Sequence, residues 1–169
     1  HGVTVACCPA SNLKLASGYA NVPKMLESGI NVALGTDGAA SNNNLNIMQD
    51  MYLFGVVYKG YFRDPTIITP AEVLHAATRA GALSQGRDDS GLLAVGMRAD
   101  LCVLNTDTPQ FTPMTSAACN VVYAAQGADI RMTMVDGEVL YRDGEFKTID
   151  IEKVKAEVQR RTDSILSRL

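Results

Sequence analysis

Two short apolar runs, each followed by a polar loop and then a helix-patterned stretch, constrain this chain more than any other feature. Residues 3–7 (VTVAC) form a continuous apolar, β-branched run ended by Pro9, and residues 30–34 (INVAL) form a second run ended by Gly35. Apolarity without alternation is the pattern of a strand buried on both faces, as parallel strands are. Between the runs, residues 22–28 read as a helix, with Pro23 in its first turn and Gly29 just past its end. After the second run, the loop at 36–44 leads into a helix over about 45–59, with Leu45, Met48, Met51, Tyr52 and Tyr58 near one face. Strand, helix, strand, helix at this spacing predicts an α/β fold with a parallel sheet. Two such units cannot cover both faces of a sheet. Further strands and helices are therefore expected upstream of His1, and the opening HGVTVACCP reads as text that starts inside a domain.

Thr69-Pro70-Ala71-Glu72 is a capping box with Pro at the first helical position, so a helix is expected over about 70–84, its face carrying Val73, Leu74, Ala77 and Ala80. From about Asp88 the pattern changes to short β-prone runs at 101–104, 120–123, 132–135 and 139–141. Asp136-Gly137 signals a hairpin turn, and Asp143-Gly144 another. These runs predict a small antiparallel β unit. Asp150 then caps a closing helix over about 151–167, with Ile151, Val154, Val158, Ile165 and Leu166 in one apolar stripe. The chain is thus expected to divide into 1–87, 88–148 and 149–169.

With 47% hydrophobic residues in 169, the chain has enough apolar material for a real core. No run of 18 or more apolar residues offers a membrane span. A net charge of −3 supplies neither a basic patch for nucleic acid nor a polybasic membrane anchor. Of the four cysteines, Cys7 and Cys8 are adjacent, where a mutual disulfide would be strained, and Cys102 and Cys119 stand singly. Reduced, buried thiols in a cytoplasmic protein are expected. Two histidines are too few for a His-rich metal site built by this chain alone, and His75, in an Ala-rich helix, reads as a packing or surface residue.

Three segments could carry chemistry. In LGTDGAASNNN (34–44), Asp37 follows a buried strand directly, where α/β folds and barrels hold their reactive groups. It is either a catalytic carboxylate or a turn or cap residue. In CPASNLKLASG (8–18), Ser11 and Asn12 offer short hydrogen-bonding side chains after the first strand, suited to orienting a ligand or bracing the neighbouring loop, or simply to making a turn. In GLLAVGMRADLCVL (91–104), Gly96 and Asp100 suit a connection entering the β unit and read as architectural.

Taken in order, CPASNLKLASG, NVALGTDGAASNNN, TPAEVLHAAT, the G-x-L-x-V-G-x-x-A-D-L pattern and DGEVLYRDG resemble the C-terminal portion of the amidohydrolase superfamily. Within it, the resemblance is to the 5-methylthioadenosine/S-adenosylhomocysteine deaminases and related chlorohydrolases. It runs from His1 to about Thr148. It implies an α/β fold that is the C-terminal part of a metal-dependent (β/α)8 barrel, with strands 7 and 8 at 3–7 and 30–34, plus part of a small β-sandwich domain and a C-terminal helix. Asp37 would correspond to the metal-binding carboxylate after strand 8. There it would bind a divalent metal, zinc in most relatives, and take the proton from the water that attacks the ring carbon. Ser11, Asn12, Ser41 and Asn42 match loop motifs lining the same barrel end and are assigned loop-shaping or substrate-positioning roles.

The departures from the family pattern are as informative. The HxH pair and the later His and Glu residues of the family pattern have no counterpart in this chain, whereas catalytic zinc wants about three protein ligands. Where relatives commonly read HCP, this chain reads Cys7-Cys8-Pro9. A thiol at position 7 fits polar packing or a divergent substrate better than a metal ligand. The resemblance implies part of a hydrolase that deaminates an adenine-type nucleoside such as S-adenosylhomocysteine, methylthioadenosine or adenosine, silent as this chain alone and open to homo-oligomerisation. The alternatives are a guanine or aminotriazine deaminase or chlorohydrolase, and a truncated binding or assembly module without activity.

Overall fold

The computed structural model describes residues 2–168. Strands β1 (Thr4–Cys7) and β2 (Asn31–Leu34) pair in parallel, Thr4 opposite Asn31 through Cys7 opposite Leu34. Helices α1 (Pro9–Lys14) and α2 (Val22–Glu27) connect them. Burial on both faces holds for β2, whose Val32, Ala33 and Leu34 are all buried. It does not hold for β1, where Ala6 is exposed and Thr4 and Val5 are half-buried. Among the described residues β1 has only β2 beside it, so its far side has nothing to pack on.

The segment after β1, read from its Ser and Asn as a loop, is helical. Pro9 occupies its first turn and Ala10, Leu13 and Lys14 favour helix, which outweighs the turn preference of Ser11 and Asn12. The loop after β2 likewise contains a single helical turn, α3 (Ala39–Asn42).

Helix α4 (Ile47–Phe62) is capped by Asn46, whose side chain accepts the Met48 amide, and it packs on β2 through Met48, Met51, Phe54 and Tyr58. Helix α5 (Pro70–Ala77) begins at the expected capping box. The Thr69 hydroxyl accepts the Glu72 amide (3.3 Å), and the Glu72 carboxylate accepts the Thr69 amide (2.6 Å). Replacing Thr69 with Ala removes the acceptor of the Glu72 amide and is expected to cost about 0.5–2 kcal/mol, read as a shift of the urea midpoint at unchanged slope. The helix expected to run unbroken to Ser84 is interrupted at Thr78 (φ −125°, ψ −86°) and resumes as α6 (Arg79–Ser84). At the break, the Thr78 hydroxyl donates to the Leu74 carbonyl (2.7 Å).

The β-prone run at 120–123 is not a strand. It is the end of helix α7 (Ala117–Tyr123), capped by Ser116, whose hydroxyl accepts the Cys119 amide (3.3 Å). Tertiary burial overrides the strand preference of Val121, Val122 and Tyr123. Val122 is 1% exposed in the core shared with α4 and α5. Gly55 of α4 permits this approach, since a Cβ there would lie 3.1 Å from the Tyr123 ring and 3.3 Å from a Val122 methyl.

The remaining strands, β3 (Leu101–Leu104), β4 (Ile130–Val135), β5 (Glu138–Arg142) and β6 (Glu145–Phe146), form the expected antiparallel sheet in chain order. Both two-residue turns have positive φ throughout, Asp136 at 52° and Gly137 at 81°, then Asp143 at 48° and Gly144 at 92°. That is the twist-matched hairpin geometry which Asp-Gly favours. Asp100 braces the entry to this sheet, accepting the Asp136 amide (2.7 Å) and the Ser90 hydroxyl (3.0 Å) and pairing with Arg87 (3.5 Å). Helix α8 (Ile151–Leu166) starts where expected, with the Asp150 carboxylate accepting the Lys153 amide, but none of its residues is buried and its apolar stripe stays exposed.

All four cysteines are free. Only Cys7 is buried. Cys102, on the edge strand β3, and Cys119, on α7, are exposed, contrary to the expectation of buried thiols. No helix of the described residues is long and apolar enough to cross a membrane.

Candidate active site

Asp37 stands three residues beyond β2, at the C-terminal end of the parallel pair, and is exposed with φ 62°. Left-handed backbone is uncommon for a residue with a side chain, although Asp tolerates it better than most. Its Oδ2 accepts the Ser11 hydroxyl at 2.6 Å and its Oδ1 accepts the Gly38 amide at 2.7 Å. The Ser11 hydroxyl first, then the nearby Ser41 hydroxyl and the Gly38 amide, hold its carboxyl below the ordinary carboxylate range. The Ser41 hydroxyl itself hydrogen-bonds to the Gly38 carbonyl (3.1 Å), so it acts on Asp37 as a neighbouring dipole. Asp37 is therefore an anion at neutral pH, and among the described residues each of its oxygens accepts one of these hydrogen bonds and keeps a further lone pair. The N-cap of α3 is Gly38, so Asp37 is not spent as a helix cap.

Ser11 is 2% exposed on α1 and reaches across from the end of β1 to the end of β2. Lys14, one turn further along the same helix, donates to the Ser41 carbonyl (2.8 Å) and to the Asn43 side chain. Two positions of α1 thereby clasp the second loop, one from inside and one from the surface. Asn42 is buried and its side-chain amide donates to the Thr36 carbonyl (2.7 Å) and to Asp50 Oδ2 (3.1 Å). The expected residues Ser11, Ser41 and Asn42 are thus gathered around Asp37. Asn12 is half-buried and takes part through its backbone, its carbonyl accepting the Ser17 amide, with no hydrogen bond to Asp37. His75 is exposed on α5.

Two residues around this site were missed in the sequence. Asp50, 0% exposed in the first turn of α4, accepts the Ala10 amide at 3.0 Å as well as the Asn42 amide. Burial pushes its carboxyl up from the ordinary range, and the Ala10 and Asn42 hydrogen bonds oppose that shift. The only sequence signal was an acidic residue on the apolar flank of a helix. The second is Cys8. Cys7 turns into the core, its Sγ 3.5 Å from the Tyr58 hydroxyl, whereas Cys8 faces the Asp37 side. Burial, then the Asp37 charge, push the Cys8 thiol up, so it is a neutral thiol. Adjacent residues of an extended chain point to opposite faces, which makes Cys8 the neighbour of the carboxylate.

Among the described residues no group of three or more His, Cys, Asp or Glu side chains is placed to hold a metal ion. Asp37, exposed, held as an anion and fixed by two hydrogen bonds, could fill one position of such a centre.

The sequence matches the amidohydrolase family over residues 1–140. It is 45% identical over 166 residues to a 5-methylthioadenosine/S-adenosylhomocysteine deaminase of Acetivibrio thermocellus, covering 98% of this chain and 38% of that enzyme. It is 41% identical over 168 residues to a 5'-deoxyadenosine deaminase of Methanosarcina mazei, covering 99% of this chain and 39% of the relative. Among solved structures, an adenosine deaminase from Xanthomonas campestris with bound zinc superposes with a TM-score of 0.95 at 31% identity, over 98% of this chain and 38% of that one. An atrazine chlorohydrolase from Arthrobacter aurescens complexed with zinc gives 0.86 at 28% identity, over 94% and 36%. The chain spans less than two fifths of the length of these relatives. The family match covers most of the chain and includes the Ser11–Asp37 clasp, and on that ground the chain belongs to the amidohydrolase family.

Proposed function

We propose that this chain forms the C-terminal part of a metal-dependent hydrolase that deaminates an adenine-type nucleoside such as S-adenosylhomocysteine, methylthioadenosine or adenosine. The observation that carries the reading is the ionised Asp37 carboxylate at the end of β2, gripped by Ser11 from the end of β1 at 2.6 Å. In this reading β1 and β2 are strands 7 and 8 of a (β/α)8 barrel within 1–87. The sheet within 88–148 is part of a β-sandwich, and 149–169 is a closing helix. Asp37 would provide one ligand to a divalent metal, zinc by the likeness to the two zinc-bound structures, with the other ligands outside this chain. The metal, when bound, supplies Lewis acidity that lowers the pKa of water towards about 7. Asp37 takes the proton of the attacking water at a free carboxylate lone pair and returns it to the leaving amine. The water oxygen ends on the ring carbon and ammonia departs. Ser11 and Gly38 keep the carboxylate aimed, and Ser41, Asn42 and Asn12 shape the loops. With one protein ligand of the three or so that catalytic zinc needs, this chain alone turns over no substrate.

The likeness to the atrazine chlorohydrolase favours one second reading, displacement at an aminotriazine or guanine-like ring. The full-length, zinc-loaded protein tests both through ammonia or chloride release from S-adenosylhomocysteine, methylthioadenosine, adenosine, guanine and chlorotriazines. The expected outcome is a kcat/KM at least about tenfold higher for an adenine nucleoside. Preference for guanine or a triazine transfers the assignment to the second reading. The substrate is taken to be a small heterocycle met in the cytoplasm.

A further inference from the structure

A buried carboxylate with no cation beside it is costly, and a side chain of similar size without charge would avoid that cost. Asp50 is such a group, fully buried, with no salt bridge among the described residues. Its two oxygens are used for different loops. Oδ1 accepts the amide of Ala10 (3.0 Å), the residue before Ser11, and Ser11 donates to Asp37 at 2.6 Å. Oδ2 accepts the amide of Asn42 (3.1 Å), and the same amide donates to the carbonyl of Thr36 (2.7 Å), the residue before Asp37. The two branches leave α4 separately and meet at Asp37, one at its side chain and one at its backbone. Asp37 itself sits in the left-handed region at φ 62°, a conformation that its surroundings must hold.

We infer that Asp50 is a positioning residue: its buried carboxylate ties the start of α1 to the loop after β2, and so sets the Ser11 hydroxyl and the Thr36–Asp37 backbone in one register. This rests on the assignment of Asp37 proposed above. Neutral Asn at position 50 still accepts from Ala10, but its amide then faces the Asn42 amide donor to donor, so one branch opens while the volume is kept.

The test uses the full-length, zinc-loaded protein with the variants Asp50→Asn, Ser11→Ala, their combination, and Asp37→Asn. It measures kcat and KM for the best substrate of the panel, together with the rate of zinc loss to a chelator, on samples matched for folded fraction by circular dichroism. Asp50→Asn is expected to lower kcat and speed zinc loss by about 10- to 100-fold, the range for groups that orient a metal ligand. KM should stay within about threefold. In the double variant the loss should exceed the worse single variant by no more than about threefold, because both act through the same carboxylate. Wild-type kcat and zinc retention in Asp50→Asn, or effects that multiply with those of Ser11→Ala, make Asp50 a packing residue and overturn the inference. If Asp50→Asn does not fold, Asn42→Ala opens the same branch, and wild-type behaviour there overturns the inference equally. Asp37→Asn separates the two levels. Turnover that survives it rejects the assignment of Asp37, whereas a dead Asp37→Asn beside an unaffected Asp50→Asn rejects only the role of Asp50.

Discussion

On the role proposed for Asp37, replacing it with Ala in the full-length, zinc-loaded protein is expected to lower kcat for the proposed adenine-type substrate by about 1,000-fold or more, since general acid–base catalysis and a metal contact would be lost together. In the parent the Ser11 hydroxyl above all holds the carboxyl below the ordinary range, so it stays ionised through neutral pH; alanine has nothing to ionise, so no pH adjustment restores what the variant lacks. Asp37 is exposed and lies outside the buried apolar cluster, so the fold should survive the change. Circular dichroism should match that of the parent and the stability read from urea unfolding should fall only modestly, by about 1–3 kcal/mol for the buried Ser11 hydroxyl left without its acceptor, while zinc content and kcat fall. Activity within about tenfold of the parent, measured on folded protein, would reject the role given to Asp37.

The largest effect on stability is expected at Phe54. It is 0% exposed and meets Tyr58 edge to face, with ring centroids 5.8 Å apart at 80°. Tyr58 is 1% exposed and reaches the Cys7 thiol at the end of β1. One aromatic stack therefore ties α4 to the sheet that places Ser11 and Asp37. Phe54→Ala is expected to destabilise by about 3–5 kcal/mol, the transfer term of the ring plus the cavity it leaves. Urea unfolding checks it, through a lower midpoint at an unchanged slope. Leu93→Ala serves as the control, since Leu93 is 79% exposed and should shift stability by no more than about 0.5 kcal/mol. A Phe54→Ala change as small as that of Leu93→Ala would mean that the α4 core is not closed around the ring.

Local chemistry made part of this protein legible. The Thr69–Glu72 capping box, the Asp150 cap and both Asp-Gly turns lie where the sequence places them, because each is decided by residues within three or four positions of one another. The order of two strand–helix units and the position of Asp37 after the second strand are legible for the same reason: a run of apolar β-branched residues ending in glycine marks its own end. Ser11 and Asn42 were found as neighbours of such strand ends.

Long-range packing decided the rest. Val121, Val122 and Tyr123 favour strand when taken alone, yet the space above Gly55 turns them into helix. The Ser and Asn of the first loop favour turns, yet Pro9 and the clasp onto the second loop make that segment α1. Whether Cys7 or Cys8 stands beside Asp37 depends on which face of β1 meets Tyr58, and a shift of one residue would exchange them. Asp50 shows the divide most sharply. In the sequence it is one acidic residue on a helix flank, and only the folded chain brings Ala10 and Asn42, 40 and 8 positions away, to its two oxygens. The sequence by itself determined the two parallel strands, the hairpin turns, the helix caps and the carboxylate at the strand end, because short-range hydrogen bonds and hydrophobic period act locally. The tertiary structure alone decided which polar groups were buried and paired, because that energy arises only when distant segments exclude water together.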